Sequence, residues 1–433
     1  METRSSSAVS LAGSEAAWSD LRAIGGAEHM RAATPEDAVD GVQPLMVIEP
    51  GSPDEIARVL KTASGAGLQV IPRGGATKMA WGNPPRGGDL IISTRRLSRI
   101  VEHAWGDMTA TVEAGCTLQQ LQQTLAEHGQ RLALDPLWPG KATIGGILAT
   151  NDSGPLRIRL GSLRDLIIGI TLALADGTLA KSGGKVVKNV AGYDLPKLAT
   201  GSLGTLGIIT QAIFRLHPIP RESRSLSFST ADHAAMNTLV CAILDSQLVP
   251  TGLQVRAAGS SLPEIDLRFE GTAAGCEAQV AQAVRLAVGS RQIGAQADVW
   301  NASEAPWGGG EPSVVCKFTL LPASMGTFFD KVREVAGQAR LSWRLVAQAV
   351  GAGWLRLEGD GAAADVFSSA IAELRQGLEA RGGSLVVLRC PAEVKSKLDV
   401  WGSSGDALPV MKSVKAQFDP AGVLNPGRFI GGI

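Results

Sequence analysis

The chain has 433 residues, and its 41 Lys and Arg balance its 41 Asp and Glu, so the formal net charge is zero. Its 45% hydrophobic and 19% charged residues are typical of a globular protein, not a disordered one. The balanced charge gives no indication of nucleic-acid binding, and the length predicts two or three domains. The N-terminus lacks the apolar run of a secretory signal, and residues 166–175, the longest apolar run, are about half as long as a membrane-spanning helix. We therefore expect a cytoplasmic protein.

The cysteines and histidines show no metal-ligand spacing. No C-x-x-C motif is present, so we expect neither an iron–sulfur cluster nor a structural zinc in this chain. The five histidines show no i, i+4 pair, which argues against a protein metal site. We expect single buried thiols in a reducing compartment at Cys116, Cys241, Cys276, Cys316 and Cys390.

The first ordered elements are predicted to form a β-α-β unit. A strand over Leu45–Ile48 precedes a helix whose N-cap is Ser52, with Glu55 completing a capping box. The next strand, Gln69–Ile71, leads into the glycine loop Arg73–Thr77. A glycine loop at the carboxyl end of a strand is where α/β folds bind ligands.

The stretch 138–210 is rich in glycine and in positive charge. Its 73 residues contain 13 glycines between apolar runs, and eight Lys and Arg against four Asp. Close backbone approach combined with a local excess of 8 − 4 = +4 charges favours a large anionic ligand, such as a dinucleotide pyrophosphate. The glycine spacing matches neither a Walker loop nor the G-x-G-x-x-G of a Rossmann site. The dipeptide Asp176-Gly177 predicts a hairpin turn.

The second half of the chain repeats one order of elements. Two successive β-α-β-β-α-β passes predict paired ferredoxin-like halves that form one sheet, with Ala297–Trp300 as the last strand of the first pass. The expected organisation is a poorly constrained N-terminal segment (1–40), a ligand-binding domain (41–219), an α+β cap domain (221–400) and a C-terminal tail that returns to the ligand-binding domain (401–433).

Five motifs resemble, in the same order, the vanillyl-alcohol-oxidase/PCMH family of FAD proteins, and more narrowly the FAD-binding E subunits of glycolate oxidase. They are Pro72–Thr77 (PRGGAT), Ala142–Gly146 (ATIGG), Lys188–Leu195 (KNVAGYDL), Gly204–Thr210 (GTLGIIT) and Asp419–Arg428 (DPAGVLNPGR). The resemblance implies an α+β fold with a two-subdomain PCMH-type FAD-binding domain. For the cap, it is a resemblance of architecture and length only.

The resemblance also implies which residues bind FAD. The two glycine loops would present backbone N–H groups and a Thr hydroxyl to the pyrophosphate, Gly145 and Gly146 would pass against the flavin, and the Ile208 backbone would meet the adenine. Covalent members carry a His in or near the first loop, where this chain has Ala76 in place of the more usual Gly, so we expect non-covalent FAD. The implied cofactor residues are Arg73, Gly74, Gly75, Ala76, Thr77, Pro139, Gly140, Ala142, Thr143, Ile144, Gly145, Gly146, Ala149, Asn151, Gly201, Gly207, Ile208, Asn425 and Arg428.

The function implied is that of an FAD-binding subunit of a glycolate oxidase, which oxidises glycolate to glyoxylate by hydride transfer to flavin N5. The expected partners are a sister FAD subunit and an iron–sulfur subunit, through which the chain would reach the inner membrane. Tyr193 and Lys188 are candidate catalytic residues; alternatively, the tyrosine covers the core and the lysine is solvated.

Two alternative functions stay open. One is a D-lactate-type dehydrogenase, which would call for a His cluster in the cap, whereas no His follows His233. The other is a non-catalytic FAD-binding subunit that assembles or relays electrons for a catalytic sister chain.

Overall fold

The first part of the protein is a small α/β layer. The computed structural model describes residues 9–186, 192–296, 298–308, 310 and 312–433. The first sheet has the order β1-β2-β4-β3, in which β2, β4 and β3 are parallel and β1 is antiparallel to β2. Its elements are α1 (Val9–Gly25), β1 (Met30–Ala32), β2 (Met46–Ile48), α2 (Pro53–Gly65), β3 (Val70–Arg73) and β4 (Leu90–Ser93).

The expectation that order begins at Leu45 is wrong. Helix α1 packs against α2, and Ala17 and Leu21, one turn apart, are both buried. Strand β1 extends the sheet through the pair Met30 and Ile48. Small residues dominate this segment and obscure its narrow apolar stripe in the sequence.

The start of α2 matches the prediction except in one contact. Ser52 Oγ accepts a hydrogen bond from the Glu55 N–H at 3.1 Å, as an N-cap does. The Glu55 carboxylate, however, accepts from the Gly51 N–H at 2.7 Å rather than from the N-cap residue itself. The reciprocal bond therefore closes one residue earlier than in a capping box.

The second part contains a five-stranded antiparallel sheet of order β5-β6-β10-β8-β9, with a short β7–β11 pair beside it. The predicted hairpin at Asp176-Gly177 joins β8 to β9 and is confirmed. The elements are β5 (Ile100–Ala104), β6 (Thr109–Glu113), α3 (Leu118–Ala126), β7 (Gln130–Arg131), α4 (Ile144–Thr150), α5 (Arg157–Leu160), α6 (Leu163–Leu166), β8 (Ile167–Ala173), β9 (Leu179–Gly183), α7 (Leu195–Ala199), β10 (Ile208–Arg215) and β11 (His217–Pro218).

The third part is an eight-stranded antiparallel sheet of order β15-β12-β14-β13-β17-β18-β16-β19. Each half has the ferredoxin-like order, and β13 pairs with β17 to join them, which confirms the predicted double β-α-β-β-α-β architecture. Its elements are β12 (Glu222–Ser229), α8 (His233–Leu244), β13 (Gly252–Ala258), β14 (Glu264–Gly271), α9 (Ala273–Leu286), β15 (Arg291–Ile293), β16 (Ser313–Thr319), α10 (Met325–Gln338), β17 (Ser342–Gln348), β18 (Ala352–Glu358), α11 (Ala364–Glu379) and β19 (Ser384–Arg389).

One predicted strand in this sheet is wrong. The last strand of the first half is Arg291–Ile293, and the following residues Val299–Trp307 form a 3-10 helix instead of a strand. Pro306 lies inside this helix and has no N–H with which to join a ladder. The Trp300 indole N–H donates to Ser225 Oγ of β12 at 2.9 Å. Trp300 therefore contacts the sheet through its side chain and is not part of a strand.

The two faces of the eight-stranded sheet differ in character. The apolar face is covered by helices and forms a core that includes Met236, Phe329, Leu345 and Leu355. We call the opposite face the polar face; it carries Lys317, which pairs across strands with Trp354. The polar face meets the turn after α4, where Lys317 Nζ donates to the Asn151 carbonyl at 3.5 Å and Gln348 Nε2 donates to the Ser153 carbonyl at 3.0 Å.

The C-terminal segment returns to the first sheet. After α12 (Ala392–Lys395) and α13 (Leu408–Phe418), Leu424 lies beside Val70 of β3 in a parallel bridge. The Val70 N–H donates to the Val423 carbonyl at 2.7 Å, and the Asn425 N–H donates to the Val70 carbonyl at 2.9 Å. Among the described residues, the structure has no helix with the length and apolar character required to cross a membrane.

Candidate functional site

An open cavity lies between the first sheet and the five-stranded sheet, at the end of β3 and the start of β10. Five separate chain segments line it, and most of its wall is backbone and small side chains. The lining residues are Pro72, Arg73, Gly74, Gly75, Ala76, Thr77, Lys78, Met79, Thr94, Thr143, Gly145, Gly146, Ala149, Thr150, Leu203, Gly204, Gly207, Ile208, Ile209, Asn425 and Arg428.

The first glycine loop packs against the start of α4 with no room for side chains. A Cβ at Gly74 would lie 2.2 Å from Thr143 Oγ1, and one at Gly75 would lie 1.9 Å from the Lys141 carbonyl oxygen. Ala76 has a φ of +58°, in the left-handed region that an alanine adopts at a cost. The sequence therefore keeps glycine where the two loops touch.

Arg73 serves the loop through its side chain as well as its backbone. Its guanidinium donates to Asp37 Oδ1 at 2.6 Å, and Arg31 donates to both oxygens of the same carboxylate at 2.7 and 2.9 Å. These hydrogen bonds, above all that from Arg31, hold the pKa of Asp37 well below its usual range. No motif indicated Asp37, because it lies in the segment that was expected to be poorly constrained.

The second glycine loop begins α4. Thr143 is the N-cap residue, and its Oγ1 accepts from the Gly146 N–H at 3.4 Å. A Cβ at Gly145 would point away from the cavity, 2.8 Å from Ala114 Cβ, whereas one at Gly146 would meet only Thr143 Oγ1 at 3.3 Å. Gly145 is thus required by packing, and Gly146 is the less crowded of the two glycines.

The tail completes the wall of the cavity. Asn425 donates to the Leu203 carbonyl, and Arg428 donates to the Met79 and Trp81 carbonyls. Burial lowers the pKa of Arg428 to about 10. Asn425 Oδ1 and Arg428 Nε are buried and, among the described residues, have no hydrogen-bond partner.

Six of the predicted cofactor residues do not line the cavity. Ala142 and Ile144 are buried in the core of the five-stranded sheet. The other four shape turns: the Pro139 carbonyl accepts from Gln119 N–H, Gly140 faces the Gln119 side chain, Asn151 ends α4 with a φ of +47°, and the Gly201 N–H donates to the Leu148 carbonyl. Sequence motifs do not separate residues that line a site from neighbours that shape it.

Of the two predicted catalytic residues, the structure describes only Tyr193, and this residue does not line the cavity. Tyr193 is 89% exposed and is absent from the lining, so its expected position near the reacting atoms is wrong. Its backbone carbonyl accepts from Ser182 Oγ, which explains its place in a turn but gives its ring no contact. Lys188 lies outside the described residues.

A buried charged and aromatic cluster adjoins the cavity and was missed by the sequence reasoning. Lys78, which follows the first loop directly, lies 2.8 Å from Asp152, and both side chains are almost fully buried. Lys78 Nζ also lies 5.5 Å from the Trp81 ring and 5.9 Å from the Trp138 ring. Trp307 stacks on Trp81 with centroids 5.8 Å apart, so the cluster joins the cavity to the cap.

The cavity has the features that a dinucleotide such as FAD needs. Backbone of two glycine loops passes close to the ligand space, where a Cβ would meet the opposite loop. Fixed backbone N–H groups suit phosphate oxygens, and two buried polar atoms still need partners there. No Cys, His or Tyr is among the described lining residues, and the residue in the first loop is Ala76, which offers no atom for a covalent bond to the cofactor.

Comparison with known proteins agrees with this geometry. Residues 44–183 match the FAD binding domain family. The chain is 27% identical over 427 residues to glycolate oxidase subunit GlcD of Bacillus subtilis, covering 89% of this chain and 88% of that protein. It is 35% identical over 200 residues to D-lactate dehydrogenase of Archaeoglobus fulgidus, where the match spans only 44% of that relative.

Solved structures show the same fold. p-Cresol methylhydroxylase with substrate bound aligns with a TM-score of 0.75 over 96% of both chains, at 16% identity. Alkyldihydroxyacetonephosphate synthase aligns with a TM-score of 0.74 over 96% of this chain and 86% of that one, at 17% identity. Residues 44–183 thus match the FAD binding domain family, and the protein is an FAD-dependent oxidoreductase with a PCMH-type fold.

Proposed function

We propose that the chain is the FAD-binding subunit of a 2-hydroxy-acid dehydrogenase and that glycolate is its substrate. The observation that carries this proposal is the similarity to a glycolate oxidase subunit along 89% of the chain. Further relatives that match about half of the chain or less include D-lactate and D-2-hydroxyglutarate dehydrogenases. All three named substrates are 2-hydroxy acids. The relatives therefore support the substrate class more strongly than they support any one acid.

The residues of this chain would hold FAD through backbone groups. The loops at 73–77 and 143–146 would bind the pyrophosphate, and the backbone at Ile208 would contact the adenine. Asn425 and Arg428 would form the wall of the cavity that the C-terminal segment contributes. When bound, FAD supplies a two-electron acceptor for the substrate. The protein's part is to orient the acid beside it, to exclude water with the tryptophans around Lys78, and to balance the charge of a carboxylate.

A second candidate is a non-catalytic FAD-binding subunit that assembles or relays electrons for a sister chain. It is favoured by the sequence beyond His233, which offers no imidazole to the cap strands that face the FAD-binding part. In both candidates we propose the same partners, a sister FAD subunit and an iron–sulfur subunit, because the relative matched along most of the chain is itself named as a subunit.

Steady-state assays of the chain alone and co-expressed with its candidate partners distinguish these functions. We expect glycolate to reduce the FAD of the isolated chain once, and we expect sustained turnover with an artificial acceptor only in the co-expressed preparation, where a partner takes up the electrons. Parallel assays with D-lactate and D-2-hydroxyglutarate show which of the three acids is oxidised fastest. Full turnover by the isolated chain would remove the need for partners. Equal turnover by a complex whose copy of this chain carries a blocked FAD cavity would favour the non-catalytic role.

A further inference from the structure

The polar face of the eight-stranded sheet brings an ammonium group close to the FAD cavity. Lys317 Nζ lies 3.5 Å from the carbonyl oxygen of Asn151. Asn151 follows Thr150, which lines the cavity, and consecutive Cα atoms are about 3.8 Å apart. The ammonium of Lys317 therefore contacts the residue next to the cavity lining, on the side of the cavity that faces the cap domain.

The charges around this ammonium are unbalanced. Lys78 and Arg157 both repel the charge of Lys317, and Asp152 is the carboxylate that attracts it. Asp152 is already engaged, because it pairs with Lys78 at 2.8 Å and accepts from the Leu137 N–H at 3.0 Å. In the described part of the chain, neither Lys317 nor Arg157 has a carboxylate within 4.0 Å. Arg157 is in turn attracted by Asp165 and Asp135. The charge left without a carboxylate partner is therefore that of Lys317, which an anion would balance.

A donor without a partner lies beside Lys317. Trp354 is its cross-strand partner on β18, and residues paired in this way project from the same face of a sheet. Trp354 is 2% exposed, and its indole Nε1 has no hydrogen-bond partner among the described residues. Buried donors are normally satisfied, so an ammonium and an indole N–H side by side point to an acceptor that arrives with a ligand.

We propose that Lys317 anchors the carboxylate of the substrate, with the Trp354 indole N–H as a second donor. This inference rests on the proposed function and narrows it to acids whose carboxylate reaches the cap-side wall. Lys78 is a poorer anchor, because Asp152 already neutralises it.

The test uses the FAD-loaded protein and oxalate, a short dicarboxylate that cannot be oxidised as a 2-hydroxy acid. Oxalate binding is followed as a change in the visible absorbance of the flavin. Lys317→Gln keeps a donor for the Asn151 carbonyl but removes the charge, and we expect its oxalate Kd to rise at least about 30-fold. Lys317→Arg should stay within about fivefold of the wild type, since the charge is kept.

Lys397→Gln is the matched control, because Lys397 is an exposed cap lysine that pairs with Asp365. It should bind oxalate like the wild type. If Lys317→Gln fails to retain FAD, Trp354→Phe gives a second reading, with a smaller expected loss of about fivefold. Oxalate binding that is unchanged in the Lys317→Gln and Trp354→Phe variants, or absent in the wild type, would overturn the anchor.

The same variants separate this inference from the proposed function. Rapid anaerobic mixing with glycolate gives the acid concentration that half-saturates flavin reduction. If the wild type is reduced and Lys317→Gln half-saturates at the same glycolate concentration, the function holds and the anchor is wrong. If no 2-hydroxy acid reduces the wild type but oxalate binding still depends on Lys317, the function fails and the anion site remains.

Discussion

Two adjacent glycines at the start of α4 have different physical roles. A side chain on Gly145 would collide with Ala114, whereas a Cβ on Gly146 would meet only Thr143 Oγ1, at 3.3 Å. From the sequence alone, a branched residue at Gly145 would be expected to block the ligand and spare the fold. The coordinates reverse that expectation: Gly145 is needed for packing, and Gly146 is the position where a side chain would compete with FAD.

We predict that Gly146→Val strongly lowers FAD occupancy while the apo protein keeps a Tm within a few degrees of the wild type. Valine fits a helix at this position at a modest cost of propensity. Gly145→Val is the contrasting variant and should lower the Tm substantially, as overpacked sites do. Flavin content and thermal unfolding of both apo proteins measure this. Normal flavin content in Gly146→Val would show that the ligand does not pass this glycine.

Asp37 couples the N-terminal segment to the first glycine loop, and its removal should cost stability at neutral pH. Because the pKa of Asp37 is lowered in the folded state, its contribution is full above the unfolded pKa of about 3.9 and is lost as the pH falls below that value. Asp37→Asn should therefore destabilise the protein by about 3 kcal/mol at pH 7, and by less at pH 3.

Urea unfolding of Asp37→Asn at the two pH values tests this, with flavin retention as a second readout, because Arg73 loses its partner. Glu36→Gln, an exposed neighbour in the same turn, is the control and should be nearly neutral. A destabilisation that does not diminish toward pH 3 would mean that Asp37 acts through packing rather than charge.

At the scale of elements, the C-terminal segment fastens the residues that follow the first loop. Arg428 donates to the carbonyls of Met79 and Trp81, and Lys395 donates to the Ala80 carbonyl at 2.8 Å. Trp401 Nε1 in turn donates to the Arg428 carbonyl at 3.0 Å. Residues of the C-terminal segment thereby fix the connection after the first loop, next to Lys78.

We predict that Arg428→Met destabilises the protein by about 2–4 kcal/mol and lowers FAD retention, because two buried carbonyls lose their donor. Arg333→Met, at an exposed arginine that pairs with Asp330, is the matched control. Denaturant unfolding and flavin content of both variants check the prediction. Equal stability of Arg428→Met and the control would show that the tail is not fastened by this side chain.

Local patterns predicted most elements, and the misses have physical causes. Periodicity identified the double β-α-β-β-α-β order because each half buries its own apolar face. It failed at the predicted strand Ala297–Trp300, because Val299 and Trp300 begin a 3-10 helix that has a proline inside it, and Ala297 lies outside the described residues. It also missed α1, whose buried stripe is narrow and made partly of small residues.

At the scale of the whole molecule, the site depends on contacts that no local pattern encodes. The glycine motifs indicated the cavity because backbone approach requires glycine at the contact itself. Lys317, by contrast, meets Asn151 across 166 positions, and Lys395 meets Asp40 across 355. Such pairs follow from how three sheets assemble. The same limitation misplaced Tyr193, which lies within a recognisable motif yet faces solvent.

We predict that the protein binds FAD without a covalent bond, since Ala76 stands in the first loop and no Cys, His or Tyr is among the described lining residues. Acid precipitation of the holoprotein followed by centrifugation should leave the yellow colour in the supernatant. Trypsin digestion and mass spectrometry of the pellet provide the control. A flavin-modified peptide would contradict the prediction and identify its attachment residue.

The most direct test of the proposed oxidation of a 2-hydroxy acid at this cavity is anaerobic mixing of the purified FAD-loaded chain with glycolate, followed by flavin absorbance. We predict loss of the visible flavin band at a rate that saturates with glycolate, without any partner subunit, because substrate and FAD meet within this chain. Dithionite reduction of the same sample controls for a competent cofactor. An unchanged band with glycolate, D-lactate and D-2-hydroxyglutarate, in protein that dithionite still reduces, would contradict the proposal.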